Sequence, residues 1–419
     1  MFNRGAERKR YLTVKLDTLS TIPALYFLLH EIFALTISYF YTVVSNDLLT
    51  QVIVYTYRLR DVCFIITFLF IIIKQKLTWD SVIISLLLFA SYNFTKFIYP
   101  ENSIYLETIR PYLALGVESF IVIRSRMVDW EHLKNSVLWL ARILVVLVAV
   151  GLLNVPHQPQ YLSLNYMTFS NAMLVPIAIT IFSFYASDGI IRIIDIGLSL
   201  IGLIMILLYG ARGAFVLLIA YAVIIIFMKT EKRKVLMYGL AFVFLTLIGL
   251  ESLSSDNVLL SLVGGQQSRT IERLLSGELF TSNRNNIYSY LIGKSLEDGL
   301  LGHGMCADRY YLPFHFVGGD ANYAHNYYVE MLVDFGVLGI MISIATTILI
   351  FRQCIRLSKS SYKAFLLSFF FVAFLQLMVS RSWLTEANFF IFIGLLMTYK
   401  GGIEDNHEEG IGTNTNISQ

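Results

Sequence analysis

Residues 215–228 read FVLLIAYAVIIIFM, a stretch that contains no charged or strongly polar side chain. A similar stretch, ILVVLVAVGLL, occupies residues 143–153, and others recur along the chain of 419 residues. Hydrophobic residues make up 56% of the sequence, charged residues make up 15%, and the mean hydropathy is +0.66. Because a soluble domain carries about 25% charged residues, this composition excludes a water-soluble protein. Apolar runs of about 20 residues are typical of transmembrane helices, so the sequence predicts an all-α polytopic membrane protein.

The apolar stretches predict about 12 transmembrane helices. Nine of them fall within residues 1–251 and three within 326–400, separated by a long polar segment, 252–325, and followed by a tail, 401–419. The predicted spans are 19–41, 52–73, 78–99, 104–123, 136–153, 168–187, 190–209, 212–228, 235–251, 326–350, 362–382 and 386–400.

The distribution of lysine and arginine predicts the orientation. Basic residues concentrate in the gaps 74–76, 124–134, 229–234 and 351–363, whereas the gap 154–166 contains none. Loops rich in lysine and arginine lie on the cytoplasmic side of a membrane. Both termini are therefore predicted to be cytoplasmic, and the long segment is predicted to lie outside the membrane on the opposite, extracytoplasmic side.

The N-terminal residues and the cysteines add two further expectations. A full-length apolar stretch follows the basic N-terminal residues without a small-residue cleavage site, so we expect no cleavable signal. The three cysteines, Cys63, Cys306 and Cys354, fall at different predicted depths, so we expect no disulfide.

The long segment 252–325 is predicted to be folded and partly helical, because it carries aromatic and apolar residues and is not of low complexity. Ser282 or Asn283 is a suitable cap for a helix that runs to about residue 298. Ile287, Tyr288, Leu291 and Ile292 would share one face of this helix, with Arg284 one turn earlier on the same face. Such a helix suits the membrane surface.

Several cations lie at the outer ends of predicted spans, where intramembrane charge is costly. They are Arg58, Arg60, Lys96, Arg110, Arg212 and Arg381. Each one alone is explained by reaching toward lipid headgroups or by pairing with a neighbour such as Asp61 or Glu107. As a group they favour a shared anionic ligand, and the planar guanidinium suits a diphosphate. Arg212 is the sharpest case because it lies in YGARGAF, residues 209–215, between glycines that allow close approach.

A second polar group opens the tenth predicted span, in YAHNYYVEMLVDFGVLGI at residues 323–340. A neutral His325 there can accept a proton near pH 7, although a structural hydrogen bond at the start of a helix explains the same residue. Asn326, Glu330 and Asp334 recur at helical spacing, which suits a helix that lines a watery cavity. Nearby arginines would lower the pKa of His325, whereas Glu330 or Asp334 would raise it.

Other kinds of site have less support. A zinc site built from His303, His315 and His325 matches no compact ligand spacing, so no metal site is predicted. Cys306 has no nucleophile motif around it. An anion or lipid transporter is a non-enzyme alternative, but transporters are typically built from internal repeats, and none is evident.

Three stretches together resemble the bacterial O-antigen polymerase and ligase superfamily. They are YGARGAFVLL (209–218), TSNRNNIYSYLIGKSLEDGLLGHG (281–304) and AHNYYVEMLVDFGVLGI (324–340). The resemblance implies a GT-C-like membrane glycosyltransferase that needs no metal or other cofactor and uses an oligosaccharide on undecaprenyl diphosphate as donor. It also implies that His325 is the general base and that Arg212 and Arg284 bind the diphosphate.

The remaining predicted substrate-binding residues come from the outer cations and the polar helix face: Arg58, Arg60, Arg110, Arg381, Asn326 and Glu330. The expected partners are the lipid-linked donor, a glycan acceptor and membrane lipids, with a chain-length regulator and a flippase as further partners and no nucleic acid. The expected location is the bacterial inner membrane, with the active site facing the periplasm. The general character of the long segment favours a polymerase, which joins repeat units, over a ligase, which moves the glycan onto lipid A-core.

Overall fold

The computed structural model describes residues 61–62, 64–125, 130–154, 166–209, 212–229, 284–297, 300–316, 322–356 and 361–398. Within these ranges the regular elements are helices, and no β-strand occurs. The predicted all-α class is therefore confirmed for the described part of the chain, whereas the GT-C-like assignment stays a prediction.

The helices are numbered in chain order. They are α1 (Phe64–Ile73), α2 (Trp79–Ile98), α3 (Ser103–Arg124), α4 (Trp130–Asn154), α5 (Tyr166–Ala186), α6 (Gly189–Tyr209), α7 (Arg212–Lys229), α8 (Arg284–Glu297), α9 (Ala307–His315), α10 (Tyr327–Arg356), α11 (Ser361–Leu377) and α12 (Ala387–Thr398). A single 3₁₀ turn, Pro100–Asn102, joins α2 to α3, and α11 contains a π-helical stretch, Phe370–Phe374.

In the described ranges, five helices are long and apolar enough to cross a membrane: α2, α4, α5, α6 and α10. Shorter apolar helices are Phe64–Ile73, Gly213–Met228, Ser361–Leu377 and Ala387–Thr398. The first and ninth predicted spans, 19–41 and 235–251, lie outside the described residues. These helices are those of a membrane protein, and the number of about 12 spans stays a prediction.

Helix α5 forms the centre of the bundle. In its stretch Phe169–Ala186, 78% of the residues are buried, because α4, α6, α7 and α11 all pack against it. Helix α2 is the opposite case: only 11% of Trp79–Ile98 is buried, and its exposed residues are mostly large and apolar. An apolar surface of this kind is suited to lipid rather than water.

Two arginines among these helices are paired with carboxylates. Arg142 on α4 bonds both carboxylate oxygens of Asp195 on α6, at 2.7 and 2.9 Å, and also contacts the Ser183 hydroxyl at 2.9 Å. Arg124 at the end of α3 contacts Asp80 on α2 at 2.7 Å. Because each arginine has a carboxylate partner in the bundle, these pairs hold helices together and need no ligand.

Helix α10 is broken at Gly336, where the backbone takes φ +62° and ψ −142°. A Cβ atom at this position would lie 2.2 Å from the carbonyl oxygen of Leu300, so only glycine fits. The break divides the predicted tenth span, 326–350, into two pieces. The piece beyond it, residues 337–356, is about 30 Å long at the usual rise, enough to cross a bilayer without the first piece.

The segment 300–304 provides hydrogen-bond partners for the backbone N–H and carbonyl groups that the break in α10 leaves unpaired. The N–H of Val337 donates to the carbonyl of Leu300 at 3.1 Å, and the carbonyl of Asp334 accepts from the N–H of Gly304 at 2.8 Å. Buried backbone groups need such partners, so this segment is part of the helix break.

The same segment is attached to the end of α2 on its other side. The Tyr99 hydroxyl donates to the carbonyl of Gly302 at 2.8 Å, and the Asn102 amide donates to the carbonyl of His303 at 2.9 Å. The long segment 252–325 is therefore joined to both halves of the chain.

Helices α8 and α9 pack with the first piece of α10 around a small apolar cluster of their own. Its buried members are Ile287, Leu291, Ala307, Leu312, Ala324, Val329 and Val333. The predicted helix to about residue 298 is confirmed by α8, which ends at Glu297. Of the residues predicted to share one face of this helix, Ile287 and Leu291 are buried in the cluster, whereas the side chain of Ile292 is 38% exposed.

Candidate active site

His325 lies in the short link between the segment 322–324 and α10, in an unusual backbone conformation. Its φ is +55°, in the left-handed region, and the residue is only 9% exposed. A non-glycine residue in this region costs on the order of 1–3 kcal/mol and persists where its surroundings hold it. Strain of this kind is often found at functional sites, so the contacts that hold His325 are informative.

The imidazole of His325 is held on two sides. Its Nδ1 lies 3.3 Å from the carbonyl oxygen of Ser380, and its ring contacts that of Tyr323 with the ring centroids 3.9 Å apart. The Tyr323 hydroxyl donates to the same carbonyl at 2.6 Å. Because a carbonyl oxygen can only accept, this contact assigns the proton to Nδ1 and leaves the lone pair on Nε2. Such an imidazole can accept a proton at Nε2.

Burial lowers the pKa of His325 from 6.5 to about 4. The bond to Ser380 acts in the opposite direction, and the positive charge of Arg284 lowers the pKa further. The lowering influence of arginines expected from the sequence is present, the carboxylate that raises the pKa is Asp308, and burial is the largest of these influences on the pKa. The ring is therefore neutral at pH 7, which is the form that a general base requires.

The turn that follows α11, residues 378–380, brings several predicted site residues together; we call it the 378–380 turn. The carbonyl of Met378 accepts from the Asn326 amide at 3.4 Å, and the carbonyl of Val379 accepts from Arg284. The carbonyl of Ser380 contacts His325, as described above. Three successive carbonyls therefore gather Asn326, Arg284 and His325 at one place.

Helix α7 begins beside the same turn. Its first residue is Arg212, and a Cβ atom on the next residue, Gly213, would lie 3.4 Å from a side-chain carbon of Val379. The start of α7 is therefore a neighbour of the turn that binds Arg284. The three stretches singled out in the sequence meet here.

Asn326 also caps α10. Its side-chain oxygen accepts from the N–H groups of Tyr328 at 3.0 Å and Val329 at 3.3 Å. This arrangement satisfies donors that the start of a helix leaves open. Asn326 thus orients the beginning of α10 next to His325.

A buried ionic network lies behind His325. The guanidinium of Arg309 donates to Asp308 at 3.1 Å, to Glu330 at 3.2 Å and to the hydroxyl of Ser382 at 2.7 Å. Ser382 also donates to Glu330. Burial makes an unpaired charge costly, so these residues hold α9, α10 and the segment after the 378–380 turn in one arrangement.

The prediction that α10 lines a watery cavity is wrong for its two carboxylates. Glu330 is 0% exposed and Asp334 1% exposed. Helix α9 and the segment 381–386 cover them, and Asp334 accepts from the N–H of Ala307 at 3.1 Å. Glu330 therefore faces protein partners, not an open site.

Three other predicted cations form salt bridges with glutamates. Arg110 forms an exposed salt bridge with Glu107 at 3.0 Å, and Lys96 contacts the same carboxylate at 2.7 Å. Arg381 pairs with the buried Glu386 at 2.9 Å. Arg58 and Arg60 lie outside the described residues. Among the predicted arginines, Arg284 donates to the 378–380 turn, as described above.

The two histidines considered with His325 for a zinc site, His303 and His315, lie against aromatic rings. His315 stacks on Tyr290 with centroids 4.2 Å apart, and His303 meets Tyr311 edge-on at 5.3 Å. Within the described ranges, no three His, Cys, Asp or Glu side chains are placed to hold a metal ion together. Burial raises the pKa of the Cys306 thiol well above its usual value, so this residue is not an activated nucleophile.

Sequence reasoning missed Asp308, Tyr323, Ser380 and Ser382. The adjacent charges of Asp308 and Arg309, close behind a glycine-rich stretch, were the one available signal. Tyr323 lies two residues before His325, but nothing in the sequence showed that its ring contacts the imidazole, and only the fold brings the two serines to the site.

Comparison with known proteins supports the resemblance. Residues 197–344 match a family described as O-antigen ligase. The matched range includes Arg212, Arg284 and His325. No curated protein matches the chain. The family match confirms the predicted resemblance to the O-antigen polymerase and ligase superfamily and does not separate the two activities.

Proposed function

Taking the O-antigen ligase match of residues 197–344 as the premise, we propose that this chain is a membrane glycosyltransferase that moves a glycan from a polyprenyl diphosphate to an acceptor sugar. The observation that carries the proposal is the 378–380 turn, which binds Arg284 and His325 through adjacent carbonyls. An anion-binding group and a neutral base are thereby held side by side. This pairing suits glycosyl transfer better than it suits the transport of an anion or lipid.

The proposed reaction is a displacement at the anomeric carbon of the donor. Nε2 of His325 takes the proton of an acceptor hydroxyl as its oxygen bonds to that carbon. The bond from the carbon to the phosphate oxygen breaks, and its electron pair leaves with the diphosphate. His325 then releases its proton to solvent.

Arg284 and Arg212 are proposed to stabilise the negative charge that develops on the leaving diphosphate. Their planar guanidinium groups donate paired hydrogen bonds to phosphate oxygens. Because the two arginines supply this charge, the reaction needs no metal. Transfer is therefore expected to continue in EDTA.

The specific reaction proposed is polymerisation of undecaprenyl-diphosphate-linked repeat units. The description of the matched family favours a second candidate, O-antigen ligase. Deleting the gene and separating the surface glycan on a gel distinguishes the two. Loss of a polymerase leaves a single repeat unit on the lipid core, whereas loss of a ligase leaves long lipid-linked chains that are not attached to the core. An unchanged glycan pattern would contradict both candidates.

We also propose that the site faces the periplasm from the inner membrane. The second piece of α10 ends near Arg352 and Arg356, and basic ends lie in the cytoplasm. The piece is long enough to cross the bilayer, so α8 and His325 would lie on the other side.

Cysteine labelling tests this orientation. In a background that lacks Cys63 and Cys354, Glu297→Cys on the exposed surface of α8 should react with a membrane-impermeant thiol reagent in cells with a permeabilised outer membrane. The matched variant Arg356→Cys should react only after lysis. The reverse order of labelling would overturn the proposed topology.

A further inference from the structure

We propose that Asp308 is a positioning residue that holds His325 in its left-handed conformation through the neighbouring peptide N–H. This inference rests on the proposed function for its catalytic meaning, but its structural part can be tested independently. Asp308 is 0% exposed and lies in the first turn of α9.

Asp308 contacts the residue that precedes His325 in the chain. One carboxylate oxygen accepts from the N–H of Ala324, the residue before His325, at 2.7 Å. The other accepts from the N–H of Arg309 at 2.8 Å and from its guanidinium at 3.1 Å. Both oxygens are therefore used, and the orientation of the carboxylate is fixed from two sides.

Arg309 extends the same hold to Tyr323. The guanidinium lies 5.5 Å from the centre of the Tyr323 ring, and the hydroxyl of Tyr323 donates to the carbonyl of Ser380. The ring of Tyr323 in turn contacts the imidazole. Asp308 and Arg309 thus act on the two residues that immediately precede His325.

The left-handed conformation of His325 needs such support. The bond from Nδ1 to Ser380 holds the ring, and α10 holds the backbone that follows. Asp308 supplies the remaining constraint, on the backbone that precedes the residue. Without it, the backbone at His325 is free to adopt an ordinary negative φ, which redirects the side chain. A displacement of about 1 Å at a reacting group costs about a hundredfold in rate.

Charged groups from four parts of the chain act on His325 or on the neighbouring Tyr323. They are Arg284 from α8, Asp308 and Arg309 from α9, Glu330 from α10 and Arg381 from the segment after the 378–380 turn. Among them, the negative charge of Asp308 raises the pKa of His325, whereas Arg284 and Arg309 lower it. Removing the negative charge of Asp308 is therefore expected to lower the pKa of His325.

The test is Asp308→Asn in the full-length protein in detergent, compared with Asp308→Glu and with Asp188→Asn. Asp188 pairs with Arg192 on the surface between α5 and α6, where its side chain is 87% exposed. For Asp308→Asn we expect kcat to fall roughly ten- to a hundredfold, with KM for the lipid-linked donor unchanged within a few-fold. Asp308→Glu should recover part of this loss, and Asp188→Asn should match the wild type.

Two further measurements separate positioning from general damage. Hydrogen–deuterium exchange should speed up in the peptide that contains Ala324 and stay unchanged in residues 337–356. The acid side of the kcat profile should move to lower pH, because Asp308→Asn removes the charge that raises the pKa of His325. A variant that is merely unfolded would show faster exchange throughout.

The outcomes are distinct. Unchanged exchange at Ala324 overturns the proposal. Faster exchange there with unchanged kcat overturns the positioning role and leaves His325 as the proposed base. If His325→Asn itself retains full transfer, the proposed base is wrong, and the exchange measurement still decides whether Asp308 holds this backbone.

Discussion

Replacing His325 with asparagine is expected to slow glycan transfer by roughly 10²- to 10⁴-fold, the usual contribution of a general base. Asparagine is chosen because its amide nitrogen can take the place of Nδ1 and donate to the carbonyl of Ser380. It also tolerates the left-handed conformation better than most residues do. The substitution therefore keeps the bond to Ser380 and the backbone conformation, and removes Nε2 together with the ring that contacts Tyr323.

This choice separates the two interpretations of His325. If the residue serves only as a hydrogen bonder at the start of α10, asparagine should support transfer within a few-fold of the wild type. His325→Gln is a second variant. It also removes the titratable group, and its longer side chain reaches further into the site than asparagine does. Both should bind the donor as the wild type does. The measurement is turnover with purified undecaprenyl-diphosphate-linked oligosaccharide in detergent, with and without EDTA.

The pH profile gives a second test of the same role. The folded pKa of His325 is about 4, below its ordinary value of 6.5, because burial disfavours the charged ring. A base must be unprotonated to act, so kcat/KM should stay level from about pH 8 down to about pH 5.5 and fall as the pH approaches the folded pKa. Loss of activity with a midpoint near 6.5 in the wild type would contradict the buried, neutral imidazole.

The sequence predicted those features that depend on neighbouring residues. The end of α8 follows from its apolar spacing and the glycines beyond it. Arg284 and His325 were singled out by their positions in recognisable stretches, and in the structure both contact the 378–380 turn. Local pattern was sufficient to select these two residues, and their roles in the reaction stay predictions.

Features that depend on distant contacts were not predictable. Gly336 reads as one more residue of a long apolar helix, and its break becomes evident only with Leu300 and Gly304 against it. Glu330 and Asp334 share a polar face, which looks the same in sequence whether water or α9 covers it. The pairing of Arg309 with Glu330 joins residues from separate helices, and no helical spacing encodes it.

The turn after α11 illustrates the same limit. The eleventh predicted span, 362–382, ran through it because Met378 and Val379 are apolar. In the structure α11 ends at Leu377, and the next three carbonyls serve as acceptors for side chains. Hydropathy measures side chains, whereas the function of this turn resides in its backbone.

Arg284→Lys is expected to be nearly as damaging as Arg284→Ala, and each should lower kcat/KM roughly ten- to a hundredfold. Loss of one hydrogen bond to a charged group costs about 1.5–3 kcal/mol, which corresponds to that range of rates. Lysine keeps the positive charge but lacks the planar pair of donors that fits two phosphate oxygens. A diphosphate-binding arginine should therefore not be rescued by lysine.

A purely structural role of Arg284 predicts a different order of activity for the two variants. In the structure Arg284 donates to the carbonyl of Val379, and lysine, which also carries a donor on a long side chain, can replace it there. If Arg284 only stabilises this turn, Arg284→Lys should restore transfer while Arg284→Ala does not. Lys294→Ala is the matched control, because Lys294 lies on the same helix and forms an exposed salt bridge with Glu297 at 3.4 Å. Full activity of Arg284→Lys at equal protein level would assign Arg284 to the fold and leave the diphosphate to Arg212.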